Sequence, residues 1–435
     1  MSKIWINSES KTHFIDWIKD LLPMNRSLSG IGNLQTLDYL QKKIPNLKIK
    51  KIPSGIQAYD WQVPNEWEIS DGFIETIDGR RFAEFKRNNL HIVGYSDRVD
   101  KVISKTELLK HVYFLEDQPE AIPYVTSYYS RQWGFCLKKS ELEKLGDGPF
   151  RVFIDSQFKS GVQGGKLIYG ELVIPGKSTQ EVLFSTNICH PSMANNELSG
   201  PVVATGLASI LGQRNTHYTY RFLFIPETIG AVYYLSRHIR TLKKNVIAGW
   251  VLTCIGDSGL FSYIPSRIGN NYADRCTLAV LNERQEAHHI YSWLDRGSDE
   301  RQYCAPGVDL PICSITRSKY GTYNEYHTSL DNLELVSERS LRESISLLLE
   351  IVEKIESQRV PKMKVLCEPQ LGKRGLYANT STKNSETIDM RNMMNIISYF
   401  DGGHTLQEIS EQCGVDLKEI HKIIELLQHE SLIEC

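Results

Sequence analysis

One stretch of the sequence, residues 184–200, constrains the fold more than any other. It opens as an apolar run that predicts a buried strand, and it closes on small residues that predict the start of a helix. Between them lies a polar turn that carries His190, Asn195, Asn196 and Glu197. A strand that places a histidine at its carboxyl end, directly before a helix, is typical of a binding site at the edge of an open α/β sheet.

The chain around this stretch alternates between strand and helix patterns. Such alternation predicts an α/β fold: a mainly parallel mixed sheet with helices on both faces. Two N-terminal helical patterns, ended by Pro23 and Pro45, complete this domain, which we assign to residues 1–50 and 176–362. The predicted strands are residues 182–189, 220–226, 247–255 and 310–316, and the predicted helices between and after them are residues 198–211, 230–242, 284–294 and 341–355.

Residues 51–175 have a different pattern. Short β-rich runs alternate with turns, and Asp78-Gly79 is a hairpin signal between two of them. The run at residues 166–175 predicts a further strand of the same unit. We therefore predict an inserted β-rich domain that lies over the crevice of the main domain as a lid.

The C-terminal part predicts a separate small helical unit. Residues 363–386 are polar and irregular, typical of a linker, and residues 387–435 resemble a winged helix with a Gly turn between its last two helices. Residues 401–435 hold eight carboxylates against two lysines, a charge opposite to that needed for phosphate contacts. We expect protein–protein contact, including self-association into a homo-oligomer, rather than nucleic-acid binding.

Composition excludes several classes. The 435 residues have a net charge of −2, and no run reaches the roughly 18–20 apolar residues of a membrane span. Nine cysteines without a CxxC pair argue against a disulfide framework and against a thiolate zinc site. We expect a cytoplasmic protein without membrane contact.

Chemistry-bearing residues recur at the predicted strand ends. His190, Glu227, Asp257 and His327 each follow or flank such an end. Singly, each also fits a structural role, such as a hydrogen-bonded histidine or a turn aspartate. Together they supply the histidine nitrogens and carboxylate oxygens that zinc binds, with a spare glutamate to deprotonate a bound water.

These motifs resemble the zinc aminopeptidases of the dinuclear exopeptidase clan. Several further phrases resemble an aminopeptidase-like bacterial subfamily, often encoded near polysaccharide biosynthesis genes, over nearly the whole chain. The clan motifs are matched by His190, residues 194–200, residues 227–230, Ser298-Asp299 and residues 326–328, and the subfamily phrases are residues 188–192, 126–129, 133–136, 299–303 and 325–329.

The sequence departs from the clan where two metal ions would be held. Asn196 stands at the position of the metal-bridging aspartate, Thr228 at that of a ligating glutamate, and Ser192 at that of an orienting aspartate. A neutral amide is a weaker zinc ligand than a carboxylate and does not bridge two cations well. We therefore expect one zinc ion, bound by His190 and His327 and completed by a carboxylate.

The carboxylate candidates for that ion are Glu197, Asp257 and Glu227. The resemblance implies that Glu227 is the general base, a role that conflicts with binding the metal. The substrate-binding candidates are Asn196, Asp299, Arg301, Arg317 and Tyr320.

The resulting prediction is a metal-dependent amidohydrolase or aminopeptidase acting on a small peptide or an amino-sugar-like amide. Two alternatives stay open from sequence. One is a non-catalytic relative of the peptidases that binds a ligand in the former active-site crevice. The other is a DNA-binding regulator with a peptidase-like sensor domain.

Overall fold

A mainly parallel sheet of eight strands organises the main domain, which confirms the predicted α/β class. The structure is a computed structural model and describes residues 12–161, 164–376 and 389–435. Four central strands run parallel to one another. On each side, the next strand pairs antiparallel to this central group. Across the sheet the strands are Lys48–Pro53, Lys166–Ile174, Thr219–Ile225, Glu181–Asn187, Val246–Leu252, Ile312–Thr316, Phe261–Ile264 and His288–Ile290.

Helices cover both faces of this sheet, so its central strands are buried on both sides. Every residue of Glu181–Asn187 is buried. On one face Phe184 stacks between Phe222 and Trp250, with ring centroids 5.1 and 5.4 Å apart, because all three share one register row. The longer helices of the domain are Phe14–Leu21, Ile31–Gln41, Ser199–Leu211, Ile229–Asn245, Tyr272–Glu283 and Glu338–Ser357.

One predicted helix is wrong. Residues 284–294 do not form it: the helix ends at Glu283, and His288–Ile290 is an edge strand parallel to Phe261–Ile264. Gln285, with φ of 55°, turns the chain between the two elements. The helix in this region is instead Tyr272–Glu283, whose apolar side chains are buried against the sheet.

The inserted domain is narrower than predicted. Its own four-stranded antiparallel sheet and a short hairpin lie between Pro53 and Lys166. Lys48–Pro53 and Lys166–Ile174, which border it, pair with each other and belong to the central sheet. Both sheets have the same β-rich composition, so the sequence does not show where the chain passes from the central sheet to the sheet of the inserted domain. The four strands are Arg81–Phe82, Glu66–Thr76, Phe150–Lys159 and Val99–Ile103, and the hairpin is Gln57–Ala58 with Trp61–Gln62.

Shorter elements complete the inserted domain and its surroundings. Val112–Tyr113 pairs in parallel with Phe135–Cys136. The short helices and 3₁₀ turns are Asn89–His91, Lys105–Leu108, Leu109–His111, Lys139–Leu142, Trp293–Asp295, Glu300–Tyr303 and Gly372–Arg374.

Three helices and a two-stranded ribbon form the C-terminal unit. The helices are Met390–Ser398, Leu406–Cys413 and Leu417–His429, and Lys362–Met363 pairs with Ile433–Glu434. Two residues of the predicted linker belong to this unit instead. Met363 lies in the ribbon, and Leu371 is buried in the core of the unit. Part of that linker, residues 377–386, lies outside the described residues.

Ion pairs and hydrogen bonds fix the C-terminal unit to the main domain. Glu434 accepts hydrogen bonds from Ser178 Oγ (2.8 Å) and the Thr179 amide (2.7 Å). Arg275 Nε lies 2.7 Å from Glu408 Oε1. Within the described ranges, no helix has the length and apolar character needed to cross a membrane.

We expect Gly200→Ala to destabilise the main domain by about 1–3 kcal/mol, the usual penalty for overpacking a core. A Cβ at this position would overlap the Leu252 carbonyl oxygen and Thr186 Oγ1, where the helix meets the sheet. Gly212→Ala is the control, because its Cβ would lie 3.3 Å from the Ala208 carbonyl oxygen, and we expect a change of about 1 kcal/mol or less. Urea unfolding of both variants measures the difference, and equal stabilities would contradict the packing described here.

Candidate active site

His190 lies just beyond the end of a central strand, and its ring is held in one orientation. Its amide donates to Glu197 Oε1 (2.9 Å), and its Nδ1 lies 2.8 Å from Glu197 Oε2. Because a carboxylate only accepts, Nδ1 carries a proton, and Nε2 is the nitrogen that can bind a metal once it has lost its own proton. Burial disfavours the charged imidazole, but the neighbouring Cys189 and Glu197 raise the pKa of His190 above its ordinary value. Arg26 Nε donates to the His190 carbonyl oxygen (3.0 Å). The backbone and ring of this histidine are therefore both fixed, as is usual for a metal-binding imidazole.

The turn that carries Glu197 is a single π-helical turn, Ala194–Leu198, in which every residue is buried. Asp331 holds this turn from outside. Its Oδ1 accepts from the Asn195 amide (2.6 Å), and its Oδ2 accepts from the Asn196 amide (2.9 Å). Burial raises the pKa of Asp331 to about 6, against the lowering effect of these amides. Such π-turns are frequent at functional sites, and here the turn directs its asparagines and Glu197 inward.

His327 lies beside His190, although the two are far apart in sequence. Their ring centroids are 5.3 Å apart, and His327 stacks on Tyr326 at 3.9 Å. Burial, together with the neighbouring His190, lowers the pKa of His327 to about 3, so its imidazole is neutral. The neutral form is the one that binds metals.

Glu227 faces Nε2 of His190. Its Oε2 is 3.8 Å from His190 Nε2, and its Oε1 is 3.7 Å from Arg301 Nη2. Burial raises the pKa of this carboxyl, and the charges of His190 and Arg301 oppose that shift. A glutamate with a raised pKa beside an imidazole has the chemistry of a general base.

Backbone strain accompanies the position of Glu227. Thr228, the next residue, has φ of 63°, which is unfavourable for a β-branched side chain. The Thr228 amide donates to Asp299 Oδ1 (2.8 Å), and Arg301 Nη2 donates to Thr228 Oγ1 (2.7 Å). Since such a conformation costs about 1–3 kcal/mol, these two contacts are what sustain it.

The predicted residue Asn196 is buried in the same region. Its Nδ2 lies 3.5 Å from Cys254 Sγ, while its Oδ1 is buried with no hydrogen-bond partner in the part of the chain that is described. The second carboxylate oxygen of Asp299 is also buried without such a partner. Unpaired buried oxygens are uncommon in native proteins, and a water, a ligand or an ion usually satisfies them.

Asp257, a predicted metal ligand, has both carboxylate oxygens occupied by protein donors. Asn195 Nδ2 donates to Oδ2 (2.7 Å), and Ser318 Oγ and the Gly259 amide donate to Oδ1 (2.8 and 2.6 Å). Strand-end position alone suggested this ligand. The side chain instead supports Asn195 and thereby the π-turn.

Arg317 and Tyr320, predicted to contact substrate, also make structural contacts. Arg317 Nη2 lies 2.6 Å from Glu343 Oε2 on the helix Glu338–Ser357 and stacks over Phe261. Tyr320 is buried and donates to Glu300 Oε1 (2.8 Å). Both residues are thus committed to packing between the sheet and its helices.

One further group could be mistaken for a metal site. Ligand atoms of Cys189, His190 and Glu197 all lie within 4.8 Å of one another. Burial raises the pKa of Cys189 to about 12, so this thiol keeps its proton unless a metal displaces it. Both Glu197 oxygens already accept from His190. The cluster is therefore a hydrogen-bonded network that orients His190.

The inserted domain supplies residues that the sequence did not predict. The Tyr124 amide donates to the His327 carbonyl oxygen (2.8 Å), and the Tyr124 ring lies 5.1 Å from both histidine rings. The Ser329 amide donates to the Ile122 carbonyl oxygen (2.8 Å), and the Ile122 amide donates to Ser329 Oγ (2.9 Å). The only sequence signal nearby was the subfamily phrase at residues 126–129, which carried no indication of contact.

A cavity of about 290 Å³ opens beside Glu227. Its walls include Arg301 of the main domain and Trp61, Tyr128 and Tyr129 of the inserted domain. The candidate base thus faces a space enclosed by two domains, which is a common location for a small-molecule site.

Comparison with known proteins places the chain in a family. A family model described as a domain of unknown function, DUF4910, matches residues 15–358. The chain belongs to this family. A winged helix-turn-helix model matches residues 359–435, which confirms the predicted C-terminal domain and starts it earlier than residue 387.

Two relatives of this DUF4910 chain come from Clostridium acetobutylicum. A putative polysaccharide biosynthesis protein with an aminopeptidase-like domain is 37% identical over 429 residues, covering 98% of this chain and 97% of the relative. The crystal structure of a putative peptidase is 36% identical, covers 97% of this chain and 95% of that one, and has a TM-score of 0.78.

The fold is also that of the zinc aminopeptidases. A zinc aminopeptidase from Bacillus subtilis is 11% identical, with 79% of this chain and 94% of that chain covered and a TM-score of 0.56. At this identity the likeness concerns the fold. The predicted aminopeptidase-like fold is confirmed.

We expect Asp331→Ala to lower the free energy of unfolding by about 3 kcal/mol, because it leaves two buried amides unpaired at about 1–3 kcal/mol each. Asp331→Asn should lose less, since its carbonyl oxygen still accepts one of these hydrogen bonds. Thermal and urea unfolding measure both variants. An Asp331→Ala protein as stable as the wild type would show that the turn does not depend on this carboxylate.

Proposed function

We propose that the chain is a hydrolase that cleaves an amide bond with the help of one metal ion. The observation that carries the proposal is the position of Glu227, 3.8 Å from Nε2 of an imidazole that Glu197 holds in place. A fixed imidazole and a neighbouring carboxylate with a raised pKa are the parts of a metal-assisted proton transfer. The aminopeptidase-like fold supports this reading.

The residues present fit one zinc ion. His190 and the neutral His327 supply nitrogen ligands, and the unpaired Asn196 Oδ1 supplies a neutral oxygen. Asn196 and Thr228 stand where the zinc-peptidase pattern has carboxylates, so the negative charge needed to hold two cations together is missing. When bound, zinc lowers the pKa of a coordinated water to about 7 and polarises an amide carbonyl.

Within this arrangement Glu227 acts as base and not as ligand. It accepts a proton from the attacking water and returns it to the nitrogen of the leaving amine. Arg301 lies 3.7 Å from the same carboxylate and lines the same cavity, where it contacts the substrate. Asp299 acts through Thr228, whose strained backbone places Glu227.

The substrate in this proposal is small. The cavity beside Glu227 measures about 290 Å³ and is bounded by the inserted domain. A short peptide or an amide on an amino sugar fits such a space, and one relative is named for polysaccharide biosynthesis. Cytoplasmic location and self-association through the winged helix remain predictions of this proposal.

A second candidate function is ligand binding without catalysis. The observation in its favour is the replacement of two clan carboxylates by Asn196 and Thr228. Metal content and activity of the same protein separate the two candidates.

We expect Glu227→Gln to lower kcat by at least about 100-fold, as removal of a general base usually does, while zinc binding is retained. Amide hydrolysis of aminoacyl and N-acyl amino-sugar substrates, with zinc measured by mass spectrometry, gives both readouts. Glu334→Gln, at an exposed position, is the control. Loss of zinc in Glu227→Gln would make Glu227 a ligand, and a zinc-free, inactive wild-type protein would favour ligand binding.

We expect Glu197→Gln to weaken zinc affinity by about 10–100-fold, the usual effect of removing a group that orients a metal-binding histidine. His190→Ala should lose binding altogether. Competition with a chromogenic chelator measures both affinities. If Glu197→Gln bound zinc like the wild type, the orientation of His190 would not depend on this carboxylate.

A further inference from the structure

A second cavity adjoins the one beside Glu227. Its volume is about 440 Å³, and it lies entirely within the inserted domain. The two cavities share three wall residues, Trp61, Tyr128 and Tyr129. These three side chains therefore border both the space beside Glu227 and the space within the inserted domain.

The shared wall presents two aromatic rings to solvent. Trp61 is 37% exposed and Tyr129 is 57% exposed. Their ring centroids are 6.0 Å apart and their planes meet at 66°, so they form two sides of a corner. Large aromatic side chains are normally covered, and paired exposed rings in a cleft indicate a binding surface.

Both rings are held in place by hydrogen bonds of their neighbours. Trp61 lies in the hairpin Gln57–Ala58 with Trp61–Gln62, whose turn is tied to the main domain by a hydrogen bond from Tyr59 Oη to the Leu235 carbonyl oxygen (3.2 Å). Tyr129 follows Tyr128, whose Oη lies 2.8 Å from Tyr124 Oη, and Tyr124 packs on both histidines. The aromatic corner is therefore connected to the candidate active site through Tyr128 and Tyr124.

Polar groups surround the aromatic corner. Asp60, Gln62, Asn65 and Arg131 line the second cavity. Arg131 Nη2 is 2.5 Å from Asp97 Oδ1, and its guanidinium stacks over Phe158. The lining thus combines flat apolar faces with carboxylate, amide and guanidinium groups at their edges.

We infer that this second cavity binds a pyranose ring of the substrate. A pyranose has an apolar face of C–H groups that stacks on an aromatic ring, and a rim of hydroxyls that needs donors and acceptors. An apolar peptide side chain would instead require a closed apolar pocket, whereas these rings are open and bordered by polar groups. The inference rests on the proposed function for the amide at Glu227 and adds that this amide is carried by a sugar.

Saturation-transfer NMR on the full chain tests the inference, because binding is observed without turnover. The probes are the methyl glycosides of glucose, galactose and N-acetylglucosamine, with the dipeptide Leu-Leu as the competing class. We expect at least one glycoside to receive saturation on its ring protons. Trp61→Ala and Tyr129→Ala should each weaken its binding by about tenfold, which corresponds to a stacking contact.

Conservative variants separate stacking from folding. Trp61→Phe and Tyr129→Phe keep a ring and should bind within about threefold of wild type, a difference smaller than one stacking contact. Trp293→Ala removes a half-buried ring that lines neither cavity and is expected to bind normally.

Three outcomes overturn the inference: no glycoside binds the wild type, the two alanine variants bind as well as wild type, or Leu-Leu alone binds and is lost in those variants. Glycoside binding by a protein that hydrolyses no amide would sink the proposed function and leave the sugar site standing. Hydrolysis of plain peptides without any glycoside binding would do the reverse.

Discussion

The contact between Glu197 and His190 is the interaction on which the candidate site depends. Both carboxylate oxygens accept from one residue, the backbone amide and the ring Nδ1, so main chain and imidazole are fixed together. Glu197 reaches back over seven residues to make these contacts, and the π-turn Ala194–Leu198 positions it to do so. The turn in turn depends on Asp331, which binds two of its amides, and on Asn195, which Asp257 supports. The position of His190 Nε2, facing Glu227, is the outcome of this chain of contacts.

A second constraint is the strain that surrounds the site. Thr228, Cys254 and His327 all have positive φ, a conformation that non-glycine residues rarely adopt. Thr228 and Cys254 follow strand ends of the sheet, and His327 lies in the segment between the last central strand and the helix Glu338–Ser357. The inserted domain adds to this restraint, because Tyr124 binds the backbone of His327. Two domains therefore define the geometry jointly, and neither builds the site alone.

Hydrophobic periodicity predicted the α/β class and the helices of the winged helix, because it is a local signal, and the resemblance of the motifs to the zinc aminopeptidases implied the aminopeptidase-like fold. The motifs also indicated His190, Glu227 and His327, which the structure brings together. They did not separate a ligand from its support: Asp257, Arg317 and Tyr320 stand at plausible positions, yet their partners are distant residues that no spacing reveals. The contribution of Tyr124 was equally hidden, since it depends on how an inserted domain docks. The border of that domain was missed because both sheets are built from the same residue types.

The neutral residues at Asn196 and Thr228 change what the crevice can hold, and a cationic side chain lies beside one of them. Thr228 Oγ1 accepts from Arg301, whose guanidinium also approaches Glu227. A cation of the protein thus occupies the neighbourhood where the zinc-peptidase pattern places a second ligating glutamate. A guanidinium keeps its charge at all accessible pH values, so Arg301 stabilises the charged form of Glu227 from one side while His190 faces the other. Under the proposed function, this arrangement favours one exchangeable cation rather than two, and Glu227 lies between Arg301 and the imidazole of His190.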